Sequence, residues 1–167
     1  TNLSSERRTL QLTSYGEVVI APARADASHP AFSKMFVESE SLSDLDGLLF
    51  HRRPRSKSEQ SLFLLHMVTQ RLVWDRVQGE TSRVEFLGRG RSVREPIALE
   101  PGRKLTDTVG YVLDPIFSLR TKIEIDPGKT EVVTFITAVA PQRDEILSLA
   151  ARYKEVHQIS RAFEMAW

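Results

Sequence analysis

The chain reads as mainly β, an antiparallel sandwich over residues 1–140 followed by a helical segment over residues 141–167. Three observations point that way. Residues 8–21 show the period-two alternation of a half-buried strand, and further apolar or β-branched runs of strand length follow within the first 140 positions. Turn signals, among them Pro101-Gly102 and Pro127-Gly128, separate these runs with no helical pattern between them, which favours a sandwich over alternating strands and helices. After Pro141 the apolar spacing changes to three and four residues, the period of an amphipathic helix.

Taken in order, residues 8–21 place Leu10, Leu12, Val18 and Ile20 on one parity and Thr9, Gln11 and Thr13 on the other. They form one long strand in which Gly16 marks a bulge or bend. Residues 26–30 are a loop by composition, with Pro30 holding His29 extended. Phe32, Met35, Phe36 and Val37 lead into a second strand, residues 41–47 form a turn, and residues 48–53 form a third strand. The densest apolar run, Leu62-Phe63-Leu64-Leu65, lies in residues 61–74; its periodicity suits strand or helix, and its neighbours decide for strand. Residues 117–125 and 130–139, rich in Val, Ile, Thr and Phe around Pro127-Gly128, form the clearest hairpin. Ile146, Leu149, Ala150 and Tyr153 define a helix with Asp144 and Glu145 in its first turn, where the helix dipole favours negative charge. A break at residues 157–160 precedes a second helix N-capped by Ser160.

At 167 residues the chain is one domain, long enough to bury roughly 70% of its unfolded surface. It holds no cysteine, which excludes disulfides, zinc-thiolate sites and thiol nucleophiles. Twenty-three basic and 22 acidic residues leave a net charge of +1, without the broad positive field of non-specific nucleic-acid binding. No apolar run approaches the roughly 18 residues of a membrane span, and no signal pattern opens the chain, so it is expected to be soluble by itself. Thr1 and the uncapped apolar end at Trp167 are expected to be cuts from a longer protein. Ala162, Phe163, Ala166 and Trp167 then form an apolar face that docks on a following domain or, without it, drives self-association.

The candidate chemistry is sparse. Gly128-Lys129-Thr130 has the ending of a phosphate-binding loop, but Ile123 stands where that loop needs glycine and a strand follows. Gly88-Arg89-Gly90 lacks the third glycine of a dinucleotide fingerprint, Val93 occupying the position. His29, His51, His66 and His157 form no closely spaced pair of the kind that marks a local zinc site, and no Gly-x-Ser-x-Gly elbow exists. No metal or cofactor is expected. Glu38 with Glu40, and Glu124 with Asp126, share strand faces; paired carboxylates are the tools of sugar chemistry, but the same spacing marks a solvated strand edge. Two arginine clusters remain. Arg52, Arg53, Arg55 and Lys57 surround Pro54 and read as a solvated basic loop. Arg89 and Arg91, with Arg94 beyond, flank Gly90, where glycine lets backbone approach a partner closely and forked guanidinium groups suit carboxylates, phosphates and vicinal hydroxyls. Arg89, Gly90 and Arg91 are therefore the candidate site for domain docking or substrate binding. Neither cluster carries the interleaved aromatics of a nucleic-acid surface.

Three longer segments carry more than any short motif: LTSYGEVVIAPARADASHPAFSKMFVE at residues 12–38, FLGRGR at 86–91 and LDPIFSLR at 113–120, joined by RRPR at 52–55 and RAFE at 161–164. The set resembles the carbohydrate-binding β-sandwich region of cyclic β-1,2-glucan synthases, related to the phosphorylases of glycoside hydrolase family 94 (formerly glycosyltransferase family 36). The resemblance implies a large sandwich of the galactose-mutarotase-like supersandwich type, here missing its first strands, with a linker leading to an absent (α/α)6 barrel that carries the catalytic acids. It implies a parent transferase of the bacterial inner membrane that builds or rearranges β-1,2-glucan. This chain would be a non-catalytic, carbohydrate-binding support whose partners are β-glucan or an oligosaccharide and the barrel. A fragment of a family 94 disaccharide or oligoglucan phosphorylase is the nearest alternative, and a purely structural interaction module is a third.

Overall fold

A computed structural model describes residues 1–54, 59–69 and 76–166. The described chain opens with β1 (Arg8–Thr13) and β2 (Gly16–Glu17), then two short helices, α1 (Ala23–Ser28) and α2 (Pro30–Lys34). β3 (Val37–Leu42), a 3-10 turn and β4 (Gly47–Arg52) follow, then β5 (Phe63–Thr69) and β6 (Gln78–Ser82). A helical turn, α3 (Arg83–Leu87), leads through a long loop to β7 (Gly110–Tyr111), β8 (Pro115–Ile125) and β9 (Thr134–Ala140). The chain closes with α4 (Arg143–Lys154) and α5 (Val156–Ala166).

The strands build two antiparallel sheets, the sandwich that the sequence predicted. In the first, the 11-residue β8 is central, with β1 and β2 in line along one edge and β6 on the other. The second runs β7-β3-β4-β5-β9. Between the sheets lies a core of Val18, Ile20, Val37, Leu48, Phe50, Val68, Val77 and Leu119. On the outer face of the second sheet, Ile146 and Ala150 of α4 pack against Leu49, Leu65, Met67 and Ala140. A third cluster, Phe86, Leu87, Ala98, Leu105 and Ile116, fixes α3 and the loop after it.

Four expectations need correction. The runs around Pro127-Gly128 are not a hairpin: β8 pairs with β1, β2 and β6, whereas β9 pairs with β5 over seven residues in the other sheet. β1 holds one edge of β8 from Arg120 to Ile125 and β6 holds the other from Pro115 to Arg120, while the chain turns at Gly128 (φ 71°) and crosses to pair with β5. Residues 26–30 are largely helical, and short helices do intervene between strands. The segment ARADAS carries three alanines, the best helix formers, and Pro30 sits at the first position of α2, where its missing N–H costs nothing. The first long strand is interrupted between Thr13 and Gly16, where Ser14 makes sheet-like bonds with Leu119 through its N–H and its Oγ. A Cβ on Gly16 would lie 2.2 Å from the Phe117 ring, so glycine is needed for close approach. The C-terminal helices break at Glu155, and Ser160 lies inside α5. The later part of the run at 61–74, and Trp167, fall outside the described residues.

Candidate functional site

The three segments singled out in the sequence meet in space. Tyr15 packs its ring 4.9 Å from Phe86. Lys34 of α2 donates to Asp114 at 2.7 Å and reaches Glu17 at 3.5 Å, while Arg83 bridges Glu17 at 3.3 Å and Asp114 at 3.6 Å. Partial burial works to lower the pKa of Lys34, but the hydrogen bond and charge of Asp114, with Glu17 behind it, hold it above the ordinary lysine value. The network joins α2, β2, α3 and the approach to β8 through alternating charges that compensate one another.

Arg120, at the end of LDPIFSLR, extends the assembly. It is buried, and its guanidinium donates to Thr13 Oγ1 at 2.8 Å, Arg103 O at 2.7 Å and Ala98 O at 2.6 Å. Burial lowers its pKa. The buried Glu80 is held comparably, accepting from the backbone N–H groups of Thr81, Ser82 and Thr106 and from the Thr106 hydroxyl. Buried ionic groups persist only when their hydrogen-bonding capacity is met. Arg120 and Glu80 thus clamp opposite ends of the segment 98–106 onto the first sheet.

Arg89, Gly90 and Arg91 fall in the exposed loop directly after α3. Gly88 and Gly90 adopt φ of 85° and 75°, and nothing lies within 4 Å of a Cβ on Gly90. Glycine is therefore required there by conformation. Arg91 pairs with Glu100 at 2.6 Å, and both side chains are substantially exposed. Phe86 and Leu87 anchor the loop from below.

The other candidates separate. Arg52, expected in a solvated basic loop, is 5% exposed and paired with Glu59; it ends β4 on the face that looks into the sandwich, in register with Val37. Arg53 is exposed, and Arg55 and Lys57 lie outside the described residues. Glu124 and Asp126 share a face as expected, and both pair with the exposed Arg7. Glu38 accepts from the Tyr111 hydroxyl at 2.9 Å, and that hydrogen bond, ahead of burial, raises the tyrosine's pKa. Glu40 is gripped by both terminal nitrogens of Arg143. His29 meets Phe32 edge-on, His51 stacks on Phe63, His157 is exposed, and His66 is buried between the sheets. Among the described residues no group of three His, Cys, Asp or Glu side chains is placed to hold a metal ion. The sequence reading passed over Tyr111, His51, Phe63 and Arg143 as partners of the two glutamates. The period-two match of Glu38 to Glu40 was the available signal.

An apolar groove of about 490 Å³ runs between β9 and the terminal helices, lined in part by Phe135, Ile136, Tyr153, Ile159, Ala162 and Phe163. Phe163 is 62% exposed. No helix among the described residues is long and apolar enough to cross a membrane.

The class of protein is thereby defined as a two-sheet antiparallel sandwich carrying helices on one outer face. The family model of the glycosyl hydrolase 94 supersandwich domain matches residues 1–156, and the chain belongs to that family. It is also 38% identical, over 167 aligned residues, to the cyclic beta-(1,2)-glucan synthase NdvB of Rhizobium meliloti (strain 1021). The alignment covers 99% of this chain and 6% of that relative, so the chain spans only a small part of its length. The family suggested by the three segments is the family found.

Proposed function

We propose that this chain is the sandwich portion of an enzyme that builds or rearranges β-1,2-glucan, and that it contacts glucan and supports the catalytic part without performing chemistry. The observation that carries this reading is the alignment of virtually the whole chain with a cyclic beta-(1,2)-glucan synthase at 38% identity. The charged groups fit a supporting role. Glu38, Glu40, Asp114, Glu124 and Asp126 each have a donor partner, which suits structural ion pairs better than a poised acid and base. On this reading residues 1–140 are the sandwich and residues 141–167 the linker to an (α/α)6 barrel. The groove at Phe163 and the loop at Arg89, Gly90 and Arg91 are the surfaces that meet it, and the complete protein resides in the bacterial inner membrane.

The test uses both the chain and the complete protein encoded by its gene. The chain alone should neither hydrolyse, phosphorolyse nor transglycosylate β-1,2-glucan, while the complete protein should form it. Arg89→Ala with Arg91→Ala should lower the complete protein's activity and leave the chain's folding unchanged. A soluble complete protein that consumes phosphate to cleave the glucan would sink the synthase reading. Turnover by the chain alone, abolished by Glu38→Ala or Asp114→Ala, would sink the non-catalytic role.

A further inference from the structure

The outer face of the second sheet is only partly covered. One row across it, Glu40, Leu49 and Leu65 on adjacent strands, runs under α4, where Ile146 and Ala150 pack on Leu49 and Leu65. The next row is Glu38, His51 and Phe63, with Phe63 packed against the edge of the same cluster. Between them lies a cleft of about 190 Å³ lined by Glu38, Ser39, Glu40, Leu49, His51, Phe63 and Arg143.

From this geometry we propose that the cleft is a binding subsite for one neutral sugar ring of a gluco-oligosaccharide; the proposal rests on the glucan reading above and gives it a place on the surface. Size is the first reason. Pockets for drug-sized ligands occupy roughly 300 to 1,000 Å³, so this smaller cleft suits one six-membered ring.

Charge is the second. Glu40 is held in a fork by Arg143, and Glu38 accepts from Tyr111. Arg143 cancels the charge of Glu40, while the neutral Tyr111 hydroxyl satisfies Glu38 without cancelling its charge, so no cation is left over among the described lining residues to draw an anion and a neutral ligand is the better fit. What remains are planar edges of carboxylate and guanidinium, whose unused lone pairs and N–H groups match the paired donors and acceptors of vicinal hydroxyls.

The third reason is the wall. His51 and Phe63 stack on each other with centroids 4.6 Å apart and planes 18° from parallel, so the pair offers a partner its outer face and its ring edges. The row's next member, Ala140 opposite Phe63, is buried in the cluster beneath α4, which supports the Phe63 ring from that side. Aromatic side chains present large apolar faces on which the C–H face of a pyranose packs while its hydroxyls turn to the polar side. Arg143, at the first position of α4, and Phe63, at the first position of β5, are both held by elements with well-packed interiors, so the site is preformed.

Isothermal titration calorimetry of the chain with linear β-1,2-linked gluco-oligosaccharides tests the proposal, with β-1,4-linked ones alongside. The chain should bind the β-1,2-linked series. Arg143→Ala, Glu38→Gln and Phe63→Leu should each weaken binding by about ten-fold or more, while Lys129→Ala, in the distant turn, leaves it unchanged. Should Phe63→Leu fail to fold, the two surface variants decide. The proposal is overturned if they bind as tightly as the unaltered chain, if no gluco-oligosaccharide binds, or if binding is lost instead with Arg91→Ala. Preference for β-1,4-linked sugar, abolished by Arg143→Ala, would keep the cleft and sink the β-1,2-glucan reading. Formation of β-1,2-glucan by a complete protein whose sandwich ignores these substitutions would sink the cleft alone.

Discussion

Lowering the pH should weaken this fold through one buried imidazole. His66 is 3% exposed and bridges the two sheets: Nε2 bonds Ser14 Oγ at 2.9 Å and Nδ1 bonds Thr137 Oγ1 at 2.9 Å. Its ring stacks 4.1 Å from Phe117. Burial pushes its pKa down from 6.5 to about 4, because a charged imidazolium has no water there to solvate it. Between these values the unfolded chain binds a proton at His66 that the folded chain refuses. This contribution to stability is therefore complete above the unfolded value and is lost as pH falls through the window towards about 4. The gap of about 2.5 corresponds to roughly 3 kcal/mol. Urea unfolding of the unaltered chain and of His66→Leu, at a series of pH values from about 7.5 to 4, isolates the effect, since other titrating groups are common to both. The unaltered chain's advantage should shrink by roughly 3 kcal/mol across the series. A difference that stays constant with pH would refute the reasoning.

Three further substitutions probe the packing. Gly16→Ala should destabilise by about 1 to 3 kcal/mol, because the new Cβ would meet the Phe117 ring that also packs on His66; an unchanged melting temperature would show that the ring swings aside freely. Phe50→Ala, at a position with no exposed surface in the central core, should cost about 3 to 5 kcal/mol in chemical denaturation. Asp114→Asn should cost only about 1 kcal/mol, since its partners Lys34 and Arg83 retain Glu17 and the site is partly open to solvent. A loss several times larger would mean the network acts as a single cooperative unit.

Short-range pairing was largely readable from the sequence. The second and third strands with the polar turn between residues 41 and 47 appear as β3 and β4, and the run at Phe63 is a strand, as its neighbours in the chain and not its periodicity indicated. The apparent hairpin at Pro127-Gly128 was misread because its two runs are equally good strands with any partner. Which edges were free depended on β1, β2, β5 and β6, all distant in sequence. The candidate site divides the same way. The Arg89–Gly90–Arg91 turn announced itself through its glycines, but the cleft around Glu38 draws on β3, β4, β5 and α4, and no window of sequence contains all four.

By itself, then, the sequence determined what local stereochemistry and composition control: a chain of strands followed by an amphipathic helix, without thiols or a charged field, whose three long segments pointed to the family it belongs to. The tertiary structure alone decided which polar groups are interior. Arg52, Glu80 and Arg120 are residue types expected at the surface and His66 is of an intermediate type, yet all four are buried. Arg120 finds Thr13, Ala98 and Arg103; Glu80 finds Thr106; His66 finds Ser14 and Thr137; and Arg52 finds Glu59 through Nη1, although its buried Nε has no partner among the described residues. A buried polar group is tolerable only where its hydrogen bonds are supplied, and most of these partners come from other strands and loops, so only the assembled fold could place them.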